Sequence, residues 1–154
     1  MCAVLECGRT EFAPTSAILD GISKKLNDNF GDEYNIYPEE VKQGLKRPCF
    51  FIKLLNPSNI KERDITYRRE NPYCIHFFPR NVNQPVLECL KMLDSLYMAL
   101  EYIEAAGNLV RGVGMLGEIH DEILLFYISY NVRVRTIYDP ILMEHLEMIE
   151  FRTK

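Results

Sequence analysis

The order of apolar and polar positions changes period several times along the chain, and each change marks an element. From Ser16 to Phe30, Leu19, Ile22, Leu26 and Phe30 recur three or four residues apart and share one helical face. Thr15 or Ser16 can cap this helix through its hydroxyl, and Gly31 suits the left-handed position that ends one. Tyr34–Tyr37 reads as a short strand stopped by Pro38, and Glu39–Lys46 is polar with Gly44 as a turn. Pro48–Leu55 is a stronger strand, with Phe50, Ile52 and Leu54 pointing one way and Cys49 and Phe51 the other. Apolar residues on both faces predict a central strand covered on both sides. Asn56-Pro57-Ser58-Asn59 is a turn cluster.

Ile65–Phe78 alternates irregularly and contains Pro72, which cannot donate to a ladder. It predicts one long strand bent at Asn71-Pro72, or two short strands. The second helix opens with Asn83 as cap and Pro85 in its first turn. Val86, Leu90, Leu93, Tyr97, Leu100 and Ile103 form its stripe, widened by Leu87 and Leu96, and Gly107 ends it. Leu109–Gly117 is a glycine-containing strand or loop. Ile123–Arg135 is a long strand with Leu124, Phe126, Ile128, Tyr130, Val132 and Val134 on one face. Its other face turns polar at Ser129, Asn131, Arg133 and Arg135, so that half is expected to be partly exposed. Pro140–Phe151 fits either a terminal strand or a short helix. Met1–Pro14 shows neither period and reads as an arm, ordered only where something holds it. The sequence predicts an arm at 1–14 and one α/β domain at 15–154. The fold class is α+β: a single mixed or antiparallel sheet of about four to five strands with two main helices packed on it.

Composition narrows the class. The chain has 154 residues, 47% apolar and 26% charged, with a formal charge of −4. That is ordinary globular composition for one domain, and bulk charge does not draw it to nucleic acid or anionic lipid. No stretch reaches about 18 uninterrupted apolar residues, so no membrane span is expected. Cys2, Cys7, Cys49, Cys74 and Cys89 are odd in number and hold no CxxC pair; three sit in apolar runs as small core residues, which favours a reducing compartment. The N-terminus lacks the apolar run of a secretory signal.

Candidate chemistry is sparse. Gly112-Val113-Gly114-Met115-Leu116-Gly117 matches GxGxxG, but a dinucleotide site needs it after a strand and before a helix. Here it follows a helix and leads into a strand, with Asp139 after the wrong element, so glycines easing a bulge or bent strand explain it better. His120-Asp121-Glu122 point alternately on a strand and do not converge on one ion; a turn explains them. His76 and His145 stand alone. No GxSxG or local cysteine signature supports a nucleophile. No cofactor, metal or catalytic residue is assigned. Arg63, Arg68, Arg69, Arg133 and Arg135 are basic spots, either a solvated strand face or a subunit interface, where Arg is enriched.

Three stretches together resemble a known family. Ile18, Ile22 and Leu26 precede a Phe; Glu39-x-Val41-x-Gln43-Gly44-x-x-x-Pro48-x-Phe50-Phe51-Ile52 is the most specific run; Glu118-Ile119-His120-Asp121 precedes Leu124-Leu125-Phe126 and Tyr130. They resemble the tail-terminator family of tailed phages, prophages and phage-tail-like bacteriocins of Gram-positive bacteria, over roughly Ser16–Tyr138. A small residue would be expected where Glu122 stands.

The resemblance implies a compact α/β fold and a non-enzymatic, structural role. It implies a homo-oligomeric ring, usually a hexamer, that caps the head-proximal end of a tail tube and stops its polymerisation. The implied partners are further copies of the chain, the tail tube protein, a sheath protein and the head connector, with no membrane and no specific nucleic acid. Assembly would take place in the bacterial host cytoplasm, with the virion or tail-like particle as destination. Gln43, Gly44 and Leu45 lie in the shared run, although a turn alone is enough to explain Gly44. With Arg68, Arg69, Arg133 and Arg135 they are the interface candidates. A head–tail joining or neck adaptor is the nearest alternative, and a small nucleotide-dependent enzyme using Gly112–Gly117 is the alternative from another class.

Overall fold

A computed structural model describes residues 8–10, 14–38 and 44–138. In chain order the elements are β1 (Gly8–Thr10), α1 (Thr15–Phe30), β2 (Asn35–Tyr37), β3 (Cys49–Leu54), β4 (Ser58–Arg63), β5 (Thr66–Glu70), β6 (Pro72–Phe78), α2 (Pro85–Ala99), β7 (Tyr102–Ala105), β8 (Asn108–His120), β9 (Ile123–Tyr130) and β10 (Val132–Tyr138). Among the described residues the class is α+β with two helices, as the sequence predicts. The strands are more numerous and form two sheets, a six-stranded one in the order β2-β3-β6-β9-β8-β7 and a four-stranded one in the order β1-β10-β5-β4. All pairs are antiparallel except β2 with β3.

One face of the large sheet carries Phe50, Ile52, Ile75, Phe77, Leu124, Phe126 and Ile128, all buried. Helix α1 lays Ile18, Ile22 and Leu26 on this core, and Phe30 stacks on Phe50 with ring centroids 5.4 Å apart. Each such side chain, fully buried, stabilises the fold by about 1.5–3 kcal/mol. Gly21 lets α1 approach β7, because a Cβ there would run into the carbonyl oxygen of Glu104. The helix starts after Pro14, and neither Thr15 nor Ser16 caps it with its side chain. Gly31 closes it at φ 74°, its N–H donating to the Asn27 carbonyl at 2.9 Å.

Helix α2 ends eight residues before Gly107. Its N-cap is Gln84, while Asn81 Oδ1 accepts from the N–H groups of Asn83 and Gln84. Leu100 and Ile103 are buried beyond the helix, and Gly107 (φ 80°) instead forms the β7–β8 turn. The buried stripe of α2 is Cys89, Met92, Leu96 and Ala99. The predicted stripe is rotated from it, so Val86, Leu90 and Tyr97 stay 48%, 47% and 37% exposed.

Two stretches, one read as a long bent strand or two short strands and the other as one long strand, each cross from one sheet to the other. Ile65–Phe78 divides into β5 and β6 at Asn71, and Ile123–Arg135 divides into β9 and β10 at Asn131. The register nevertheless carries through without slip. Arg69 stands opposite Val132 and, three residues on along each strand, Pro72 stands opposite Ser129. At the crossing, Tyr130 N–H donates to the Asn71 carbonyl, and Asn71 Nδ2 donates to the Tyr130 carbonyl, both at 3.0 Å. The alternation also survives: Tyr130, Val132 and Val134 are buried while Arg133 and Arg135 are exposed.

Two further strands escaped the sequence reading. Ser58 and Asn59, read as part of a turn, open β4, which pairs with β5. Gly8–Thr10, inside the predicted arm, pairs with β10 as β1. The expectation that β3 is covered on both sides holds for Cys49, buried completely, but Leu54 is 38% exposed. Pro140–Phe151, Asp139 and His145 lie outside the described residues.

Candidate assembly surfaces

The glycine run is part of a strand. Gly112, Gly114 and Gly117 all lie in β8, and the element that follows is strand β9, not a helix. The register against β9 shifts between Val113 and Leu116, and Gly114 takes φ 65° at that bulge. A Cβ on Gly112 would meet Ile128 and the Leu100 carbonyl, and one on Gly117 would meet Leu93. The glycines therefore serve a bulge and close helix–sheet packing, not a phosphate. Asp121 and Glu122 form the β8–β9 turn with φ 49° and 65°. Positive φ at Glu122 is where a small residue fits best, which accounts for the expectation of one there.

Among the described residues no group of three or more His, Cys, Asp or Glu side chains could hold a metal ion. No helix there is long and apolar enough to cross a membrane. Cys49, Cys74 and Cys89 are buried free thiols whose ionisation burial pushes upward. They behave as core residues and not as nucleophiles.

The arginines fall into two groups. Arg68 and Arg133 are direct cross-strand neighbours on β5 and β10. Like charges so placed repel, and Glu62 offsets this by reaching both: Arg133 Nε lies 3.1 Å from one carboxylate oxygen and Arg68 Nη1 3.9 Å from the other. Arg68 Nε also lies 3.1 Å from Glu70. Arg135, two residues on from Arg133, shares this face, and Glu62, Arg63, Thr66 and Arg133 line a shallow recess there. Arg69 points to the opposite side, half-buried, with Nε donating to Asn59 Oδ1 at 3.3 Å. Sequence reasoning missed Glu62, because the bulge between Lys61 and Arg63 that brings it round has no signature in the sequence.

Gly44 and Leu45 lie elsewhere. They precede the Cys49 end of β3, opposite Phe78, while β4 and β5 adjoin the far end, where Leu54 pairs with Tyr73. Gly44 adopts φ 83°, as a turn requires, and Leu45 is 38% exposed. Gln43 lies outside the described residues. The candidates thus occupy two ends of the fold and cannot form one patch on one copy.

A third surface is apolar. Val86, Leu87, Leu90 and Met98 of α2 are exposed, as is Leu116 of β8. Beside it, β7 pairs only with Asn108–Arg111, so the outer edge of β8 from Val113 to His120 has no strand partner among the described residues.

One solved structure aligns with 12% identity over 84% of this chain and 100% of its own, at a TM-score of 0.40, a likeness too loose to argue from. No curated protein matches the sequence. A family model described as phage tail terminator protein matches residues 17–140. That span runs from the first turn of α1 through the whole of β10 and takes in every surface described above. The chain belongs to the phage tail terminator family, whose members are structural proteins of tail assembly.

Proposed function

We propose that this chain caps the head-proximal end of a tail tube as a homo-oligomeric ring, a hexamer, and so stops tube polymerisation. The family match over residues 17–140 carries the reading. Its physics is interface geometry: one ring face matches the last tube ring, and the other presents no site for a further tube subunit, since open stacking would continue as a filament. The exposed arginine face, the Gly44-Leu45 loop at the opposite end and the apolar flank of α2 supply several distinct contact surfaces. The separation of the two ends fits a subunit that touches a different neighbour with each. Arg68, Arg133 and Arg135 face out and are the contact residues of the first end; Arg69, turned inward onto Asn59, positions the hairpin.

The test is tail length by negative-stain electron microscopy after deletion of the gene from its parent phage or particle cluster. Overlong tubes of variable length are expected. Tails of normal, uniform length that fail to join heads would replace this reading with a joining or neck adaptor.

A further inference from the structure

Helix α2 carries two apolar stripes, and the core uses one of them. Cys89, Met92, Leu96 and Ala99 are buried, whereas Val86, Leu90, Leu93 and Tyr97, at three- or four-residue spacing, line one flank. The opposite flank shares a recess with Lys25 and Phe30 of α1, so this second stripe faces away from α1. Leu93 sits over Gly117, and Cys89 Sγ donates to the Glu122 carbonyl at 3.8 Å, so α2 runs back along the outer edge of β8 with Leu90 near the level of Ile119. The ladder decides which groups that edge offers. Tyr130 N–H bonds to Asn71, on the β6 side, so the alternate residues Tyr127, Leu125 and Ile123 bond to β8. Their partners Leu116, Glu118 and His120 therefore bond inward, and Gly117 and Ile119 turn their N–H and C=O groups outward. Side chains alternate as well: Ile119 packs on the helix side, and Glu118 and His120 stand exposed on the other face.

We propose that the outer edge of β8 pairs antiparallel with the same edge of a second copy, about a twofold axis at Ile119. The two Ile119 residues then exchange both backbone hydrogen bonds, as their outward groups require. Glu118 of each copy stands opposite His120 of the other, in non-hydrogen-bonded positions where Cα atoms are about 4.5 Å apart and side chains meet. The carboxylate accepts from an imidazole N–H in either protonation state. Neither Glu118 nor His120 has an ion-pair partner among the described residues. Neighbouring registers that satisfy the backbone are poorer. An axis at Glu118 sets two carboxylates directly opposite each other, and one at Gly117 puts Glu118 against Leu116 and runs the ladder into the bulge. On the helix side the axis brings the two exposed α2 stripes together, Leu90 nearest to it, and takes their apolar surface out of water. Charge and apolar matching thus select a second copy. The bulge at one end and the β8–β9 turn at the other hold the ladder to Gly117–Asp121, so the edge cannot recruit chains indiscriminately. The contact is isologous and closes at two. It makes a dimer of the free chain, not a ring with two different faces, and it does not rest on the capping reading.

The test is sedimentation of the full chain over a concentration series, with residue-resolved hydrogen exchange by NMR. A monomer–dimer equilibrium is expected. The Ile119 amide gains protection as the dimer forms, while the Glu118 and His120 amides, already turned to β9, do not change. His120→Glu opposes carboxylates at both pairs and is expected to raise the dimer Kd about tenfold. Leu90→Ser is expected to raise it by a similar factor, and both variants to keep the melting temperature of the dilute monomer. Adding Glu118→His to His120→Glu is expected to restore the dimer. A chain that stays monomeric at every concentration, an Ile119 amide whose protection does not follow dimerisation, or a double swap that restores nothing would each overturn the proposal. Tail length after gene deletion is a separate readout, so this contact and the capping reading fail independently.

Discussion

Asn71 and Tyr130 are joined by two hydrogen bonds, one of them made by a side chain where a strand would use its backbone. Tyr130 N–H donates to the Asn71 carbonyl in the ordinary way, and Asn71 Nδ2 makes the return bond to the Tyr130 carbonyl. Asn71 is 2% exposed and is the buried polar side chain of the described core. It stands where the ladder passes from one sheet to the other, next to Pro72, which has no N–H to give. On the other strand the Tyr130 hydroxyl donates to the Leu100 carbonyl at 2.7 Å, and burial pushes its ionisation far upward.

Replacing Asn71 with Ala is expected to destabilise the fold by about 1–3 kcal/mol, because the Tyr130 carbonyl would lose its donor in a buried setting. Asn71→Asp removes the same donor and adds a buried charge, so it is expected to be worse than Ala at neutral pH. Urea unfolding of the three proteins orders them. An Asn71→Ala protein as stable as the parent would show that water or a backbone shift replaces the amide.

Gly117→Ala is expected to cost about 1–3 kcal/mol, since the new methyl group collides with Leu93 and α2 must move. Adding Leu93→Ala should recover part of this cost, although Leu93→Ala alone destabilises. The double-mutant cycle is read by thermal or urea unfolding. Additive losses would mean that the helix does not rest on this glycine.

A pH dependence follows from His76. It is half-buried, its ring 5.3 Å from that of Phe51, and its pKa is held below 6.5 first by burial and then by nearby Lys53. Above pH 6.5 the imidazole is neutral in both states, and its contribution to stability is fully present. As pH falls below 6.5 the unfolded chain takes up the proton first, so stability is lost until folded His76 also protonates. Melting temperature is expected to fall between about pH 6.5 and 5, and His76→Gln to fall less. Parallel curves for the two proteins would remove His76 from the account.

How far this was legible in the sequence depended on whether a residue's partner was local. Helix α1 was readable because Ile18, Ile22 and Leu26 are its buried face and few apolar residues compete with them. Helix α2 was readable as a helix but not in orientation. It carries Cys89, Met92, Leu96 and Ala99 beside Val86, Leu90 and Tyr97, and two adjacent apolar stripes give periodicity no means of choosing. Strand β4 has one apolar residue, Ile60, and is fixed by its backbone ladder with β5, which leaves no alternating pattern. The glycine run was readable as a bulge because its sequence context was wrong for a phosphate loop. The arginines were visible as charges, but it took the registers of β5 with β10 and β4 to set Arg68 against Arg133, bring Glu62 between them and turn Arg69 away.

The unbroken register through Asn71 and Tyr130 has a mechanical consequence. Strands β5–β6 and β9–β10 run as two covalent chains from the small sheet, the first of them from its exposed hairpin, into the middle of the large sheet. A pull on the hairpin along the strands loads the cross-strand hydrogen bonds of both sheets in shear, many at once, and cannot peel them one by one. Whatever grips the outer hairpin therefore tugs on the centre of the molecule, and the small sheet acts as a stiff handle.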